Sequence, residues 1–104
     1  MKKGYWVVRA NIINVDEYSK YIEIATGVIK KYNGIFVVRG GDQTEFEQKG
    51  FDRTVVVEFN SYKDAIDCYN SSQYMSALKL VEISASRLVS VCLLYTSPSP
   101  RDYP

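Results

Sequence analysis

The chain has 104 residues, 46% of them apolar and 24% charged, which suits one globular domain with a modest core and argues against disorder. Thirteen basic residues against twelve acidic ones leave a formal charge of +1, with no basic run for capturing nucleic acid, so no nucleic-acid partner is expected. Histidine is absent, which removes the commonest metal ligand, the usual near-neutral base and any axial imidazole for haem; neither a metal site nor a cofactor is expected.

No apolar run approaches the roughly 20 residues that a membrane-spanning helix needs. The Met1-Lys2-Lys3-Gly4 start leads straight into strand residues, without the apolar segment and cleavage site of a secretory signal. No membrane partner and a cytoplasmic location are therefore expected.

Tyr5 to Ile13 alternates as a strand, with Trp6, Val8, Ala10 and Ile12 on one face and Tyr5, Val7, Arg9 and Asn11 on the other. Tyr18, Tyr21, Ile22, Ala25, Val28, Ile29 and Tyr32 then recur at three- and four-residue steps, the stripe of an amphipathic helix. Asn14 or Asp16 can cap its start, and Asn33-Gly34 supplies the left-handed turn that ends it. Ile35–Arg39 and Thr54–Phe59 are β-branched and aromatic, so both read as strands, joined by a long connection that opens on Gly40-Gly41.

Ser61-Tyr62-Lys63-Asp64 has capping-box spacing and starts a second helix through Tyr62, Ala65, Ile66 and Tyr69. Asn70-Ser71-Ser72 favours side-chain bonds to its own backbone, which breaks that helix; Ser72 can restart it, with Tyr74, Ala77, Leu78 and Val81 as the new stripe. Arg87–Val91 is the last predicted strand. From Cys92 the sequence Cys-Leu-Leu-Tyr-Thr-Ser-Pro-Ser-Pro-Arg-Asp, residues 92–102, resembles a translated transposon-type sequencing adapter. The domain is accordingly expected to span 1–91, with 92–104 a non-native tail; only Cys68 then counts as native, which gives no disulfide framework.

The order β-α-β-β-α-β predicts an α+β, ferredoxin-like sandwich: a four-stranded antiparallel sheet with both helical regions on one face, the second helix broken near 70–72. Strands one and three carry apolar groups on both faces. The helix-free face is thus expected to meet a second copy of the chain in a homodimer.

Five segments carry a family resemblance: Gly4-Tyr5-Trp6, Lys31-Tyr32-Asn33-Gly34, Val38-Arg39-Gly40-Gly41, Val57-Glu58-Phe59-Asn60-Ser61 and Tyr69-Asn70-Ser71-Ser72-Gln73-Tyr74. In this order they resemble the domain-of-unknown-function family numbered thirteen-thirty, of the dimeric α/β-barrel superfamily. The likeness runs from about Lys3 to Val91. It implies two facing sheets in a dimer and a ligand cleft between sheet and helices in each subunit, without a settled reaction. The sequence departs from the family's pattern at Asn14-Val15, at Asn60, and at Asn11, where an acid is usual.

Arg39 is the leading candidate for ligand binding and the first of three weak catalytic candidates, with Tyr69 and Glu58. A guanidinium at a strand end beside two glycines can present a planar fork to a carboxylate or enolate; a structural ion pair with Glu58 or Asp42 is the competing account. Tyr69 and Tyr74 flank the helix break and can aim phenols at a ligand, or simply pack. Trp6, with Tyr32, can wall a cleft or belong to the core. Asn11 and Arg9 can line a polar pocket or bond across an interface. Glu58 can act as a base if buried, or pair with Arg39 or Arg53, while Arg53 itself is expected to be solvated. Cys68 without histidine is expected to be structural.

Two functions remain open at this level. One is a cofactor-free enzyme performing proton transfer or oxygenation on a small aromatic or enolisable compound; the other is a non-catalytic dimeric module that binds a small organic acid or phenol, or serves as a scaffold. RNA binding through the sheet is disfavoured, because Thr54-Val55-Val56-Val57-Glu58-Phe59 lacks interleaved basic and aromatic stacking residues.

Overall fold

The computed structural model describes residues 2–94. Strand β1 (Gly4–Ile12) is followed by helix α1 (Val15–Lys31), strands β2 (Ile35–Arg39) and β3 (Arg53–Phe59), helices α2 (Tyr62–Asn70) and α3 (Ser72–Ser84), and strand β4 (Ala85–Leu93). The strands form one sheet in the order β2-β3-β1-β4, antiparallel at every pairing. This is the ferredoxin-like α+β arrangement that the element order predicts.

Local chemistry sets the boundaries. Asn14 caps α1 by accepting from the Glu17 amide at 3.1 Å. Asn33, at φ 62°, turns the chain so that the Gly34 amide bonds back to the Ile29 carbonyl at 2.9 Å. Ser61 caps α2 through the Asp64 amide at 3.0 Å. Helix α3 restarts at Ser72, as expected, with Ser71 as its cap. The Ser71 hydroxyl accepts from the Tyr74 amide at 3.2 Å and donates to the Cys68 carbonyl at 2.8 Å, so a single side chain closes α2 and opens α3.

Trp6, Val8 and Ala10 of β1 and Val57 and Phe59 of β3 are buried against Tyr18, Tyr21, Ala25, Val28 and Ile29 of α1 and Ala65, Cys68, Tyr74, Ala77 and Val81 of α2 and α3. Trp6 is the centre of this core, with its ring against Phe59, Tyr69 and Tyr74 and its Nε1 donating to the Ala65 carbonyl at 2.8 Å. Burying such a side chain contributes about 1.5–3 kcal/mol.

Strand β4 is longer than Arg87–Val91. Cys92 and Leu93 pair with Tyr5 and Gly4, because their alternation continues that of Val89 and Val91 alongside β1; residues 95–104 of the expected tail lie outside the described residues. The 40–52 connection is held by Arg9, which binds Glu45 and the Gln48 carbonyl and lies over the Phe51 ring. Glu45 also accepts from the Gly50 and Phe51 amides, and the Gly50 bond foremost holds its carboxyl below the ordinary range. Among the described residues no helix is long and apolar enough to cross a membrane.

Candidate functional site

Between the inner face of the sheet and α1 lies a cleft of about 40 Å³, walled by Trp6, Val8, Val55 and Val57 of the sheet and by Tyr18, Tyr21, Ile22 and Ala25 of the helix. That is room for a small group or a few waters. Three arginines, Arg39, Arg53 and Arg87, also line it, and none of them takes part in an ion pair among the described residues.

Sheet register explains why all three gather there. Arg53 of β3 and Arg87 of β4 are each paired with Ala10 of β1, from opposite sides, and Ala10 faces the helices. Arg39 of β2 is paired with Val55, two residues from Arg53 and therefore on the same face. The register shift between Phe36 and Val38 is what brings Arg39 onto that face together with Phe36; unbroken alternation would point it away. The result is a row of guanidinium groups crossing one end of the sheet.

Arg39 and Arg87 are held by neutral groups. Arg39 donates to Thr26 Oγ1 at 2.7 Å and lies 4.0 Å from the centre of the Phe36 ring. Arg87 donates to Tyr21 Oη at 3.0 Å and to Tyr74 Oη at 3.4 Å. Arg53 has its Nε buried without a hydrogen-bond partner, and Gly40, at φ +71°, leaves no space for a Cβ against Arg53 Nη1. For the half-buried Arg53 and Arg87, a cation partly withdrawn from water among neutral groups is costly unless an anion joins it.

Behind Arg87, Tyr21 and Tyr74 share a hydrogen bond of 2.6 Å. Burial foremost, with repulsion from the Tyr74 phenol, pushes Tyr21 well above the usual phenol range despite the opposing pull of Arg87. Tyr74 is also raised, again mainly by burial. Both phenols stay protonated near neutral pH and serve as donors rather than bases.

The structure brings Arg39 and Trp6 into the cleft. Tyr74 is entirely buried behind it and reaches it through Tyr21 and Arg87; Tyr69 packs its ring on Trp6 and Tyr74. Glu58 and Asn11 lie on the opposite face of the sheet. Glu58 accepts from Tyr5 Oη at 2.9 Å and is 3.5 Å from Lys3 Nζ, so it does not partner Arg39. Asn11 accepts from the Asp52 amide at 3.0 Å. Cys68 is fully buried in the core, where loss of hydration pushes its thiol up to about 12.

Sequence reasoning passed over Arg53, Arg87 and the cleft role of Tyr21. Arg53 is half-buried rather than solvated. The signal was present: Arg53 is in phase with Val55, Val57 and Phe59, and Arg87 with Val89 and Val91, so each places a cation on the apolar face of its strand.

The sequence profile of the family described as "Domain of unknown function (DUF1330)" matches residues 3–92. The chain belongs to the DUF1330 family. No match to a curated protein sequence reaches significance. Among solved structures, this DUF1330 protein is similar to the hydroxynitrile lyase of Passiflora edulis, at TM-score 0.70 and 12% identity over 94% of this chain and 98% of that one. SnoaB, a cofactor-independent oxygenase from Streptomyces nogalater, matches at TM-score 0.61 and 9% identity over 99% and 100%. A dimeric ferredoxin-like protein of unknown function from Thermobifida fusca matches at TM-score 0.61 and 11% identity over 89% and 92%. At these identities the DUF1330 chain shares their fold.

Proposed function

We propose that this protein binds a small organic anion, a carboxylate or an enolate, in the cleft between α1 and the sheet. The observation that carries the reading is the row of Arg39, Arg53 and Arg87 without a carboxylate partner among the described residues, together with the unpartnered, buried Nε of Arg53. A guanidinium fork matches a planar carboxylate, and the apolar walls suit a short hydrocarbon body.

For an enolisable ligand the same groups have a chemical consequence. Fixed cations and the neutral Tyr21 phenol would stabilise charge developing on a carbonyl oxygen, lowering the energy of the enolate. Cofactor-free chemistry of this kind is in keeping with the fold's occurrence in an oxygenase and a lyase. A non-catalytic binding module is the second reading, favoured by the cleft lining itself, which includes no carboxylate, thiol or imidazole to act as base among the described residues.

The working unit in this proposal is a homodimer formed through the helix-free face, where Val7, Val38 and Leu88 are exposed beside Val56. Support comes from the dimeric state of the Thermobifida fusca neighbour. Sedimentation should give twice the chain mass for the parent and a monomer for Val56→Arg.

The ligand reading is tested by melting the protein with a panel of small carboxylic acids and their amides at fixed ionic strength. The acids should raise the melting temperature where the amides do not, and Arg39→Gln with Arg53→Gln should abolish the rise. Acids without effect overturn the proposal. Protein-dependent hydrogen–deuterium exchange beside the carbonyl of an enolisable binder separates the enzyme from the binding module.

A further inference from the structure

We infer that the cleft selects a small dicarboxylic acid, a dianion with one charge at each end, over an acid bearing a single carboxylate. This rests on the organic-anion reading above and adds the number and spacing of the charges.

Three cations face the cleft, and no carboxylate lines it among the described residues. One carboxylate has two oxygens and engages one fork well, which leaves the remaining guanidinium groups without a counter-charge in a partly dry site. The three groups come from three different strands. Arg53 and Arg87 stand on strands separated by β1, each in register with Ala10, so their Cα atoms are roughly 10 Å apart by the ordinary strand spacing. Arg39 sits beside Arg53, on the far strand.

The cleft therefore has two positive poles. Arg39 and Arg53 make one, with Thr26 holding Arg39. Arg87 makes the other, held by Tyr21 and Tyr74. The wall near them is apolar, supplied by Val8 and Val55, which suits a short hydrocarbon linker between the two charges.

A compact anion such as inorganic phosphate fits this pattern poorly. It would meet one pole and leave the other uncompensated, because the arginines come from three different strands. A short chain with a carboxylate at each end meets both poles and covers the apolar wall.

Titration calorimetry of the full chain, at fixed pH and ionic strength, provides the test. Succinate and glutarate should bind at least about tenfold more tightly than butyrate, valerate or monomethyl succinate, the difference expected of one added charge-assisted fork. Arg87→Gln should collapse that ratio towards one, because the second carboxylate then meets no guanidinium fork. Arg39→Gln, at an exposed position, repeats the comparison from the other pole without disturbing the core. Equal affinity for mono- and dicarboxylates overturns this inference but not the organic-anion reading; tighter binding of phosphate than of any dicarboxylate overturns it in favour of a compact anion. Absence of binding by every acid overturns both.

Discussion

Arg53 and Arg87 flank the same alanine: each is paired with Ala10, one from β3 and one from β4, on the face of the sheet that the helices cover. Ala10 is fully buried, so its methyl group is all that the centre strand places between two guanidinium-bearing side chains. Enlarging that residue should act on packing and on the site together. Ala10→Leu is expected to destabilise the fold by about 1–3 kcal/mol through overpacking, and to remove stabilisation by acids even at temperatures where the variant is fully folded. Urea unfolding with and without ligand measures both effects.

Gly40 offers a sharper lever on Arg53. Its φ of +71° lies in the left-handed region, where an L side chain costs about 1–2 kcal/mol, and a Cβ there would meet the Arg53 guanidinium. Gly40→Ala should therefore lose roughly that stability and also weaken acid binding. Gly41, also left-handed at φ +87°, has open space at its Cβ. Gly41→Ala should show a comparable backbone penalty with unchanged acid affinity, and the contrast between the two variants is read by calorimetry.

The Tyr21–Tyr74 hydrogen bond joins α1 to α3 beneath Arg87. Replacing either phenol by phenylalanine leaves the other hydroxyl buried with fewer partners, a loss of about 1–3 kcal/mol each. The double variant should cost less than the sum, because the second change removes a group already orphaned. Strict additivity in the denaturation cycle would contradict the contact.

Alkaline pH should weaken the fold. Cys68, Tyr21 and Tyr74 have folded pKa values raised above their unfolded ones, chiefly by burial; Tyr18, Tyr74 and Arg87 also act on Tyr21. Groups of this kind contribute fully below the unfolded pKa and lose that contribution as pH rises towards the folded value. Stability should thus hold up to about pH 9, where the free thiol titrates, and fall above it at up to about 1.4 kcal/mol per pH unit for each group in its window. In the same range the fully buried Cys68 should resist alkylation until the protein is unfolded, as a thiol count by mass spectrometry will show.

Much of the fold was legible because local and long-range signals agree. Alternation of Trp6, Val8 and Ala10, the helical stripe from Tyr18 to Ile29, and the stops at Asn33-Gly34 and Asn70-Ser71 all specify the same elements as the packing does. Caps were less certain at the helix break, where Ser71 and Ser72 are chemically alike and only backbone geometry separates them. The site was legible in part. Arg39 and Trp6 stood out, but Tyr69 and Tyr74 were singled out for their place at the break, whereas Tyr74 meets Arg87 only through the three-dimensional meeting of α3 with β4. Arg53 and Arg87 are separated by 33 intervening residues in sequence and joined by their shared register with Ala10, which no local pattern reveals. Glu58 and Asn11 fell to the other face because a strand's two-residue period assigns faces firmly while leaving open which face carries the cleft.

The central claim, that the arginine row receives an organic anion, is tested most directly at Arg53 Nε, which is buried without a partner. In nitrogen–proton correlation spectra the Arg53 Nε–H resonance, assigned through Arg53→Lys, should move saturably as succinate is added, in step with Arg87. A succinate titration that leaves both resonances in place while shifting backbone amides on the helix-free face would contradict the account.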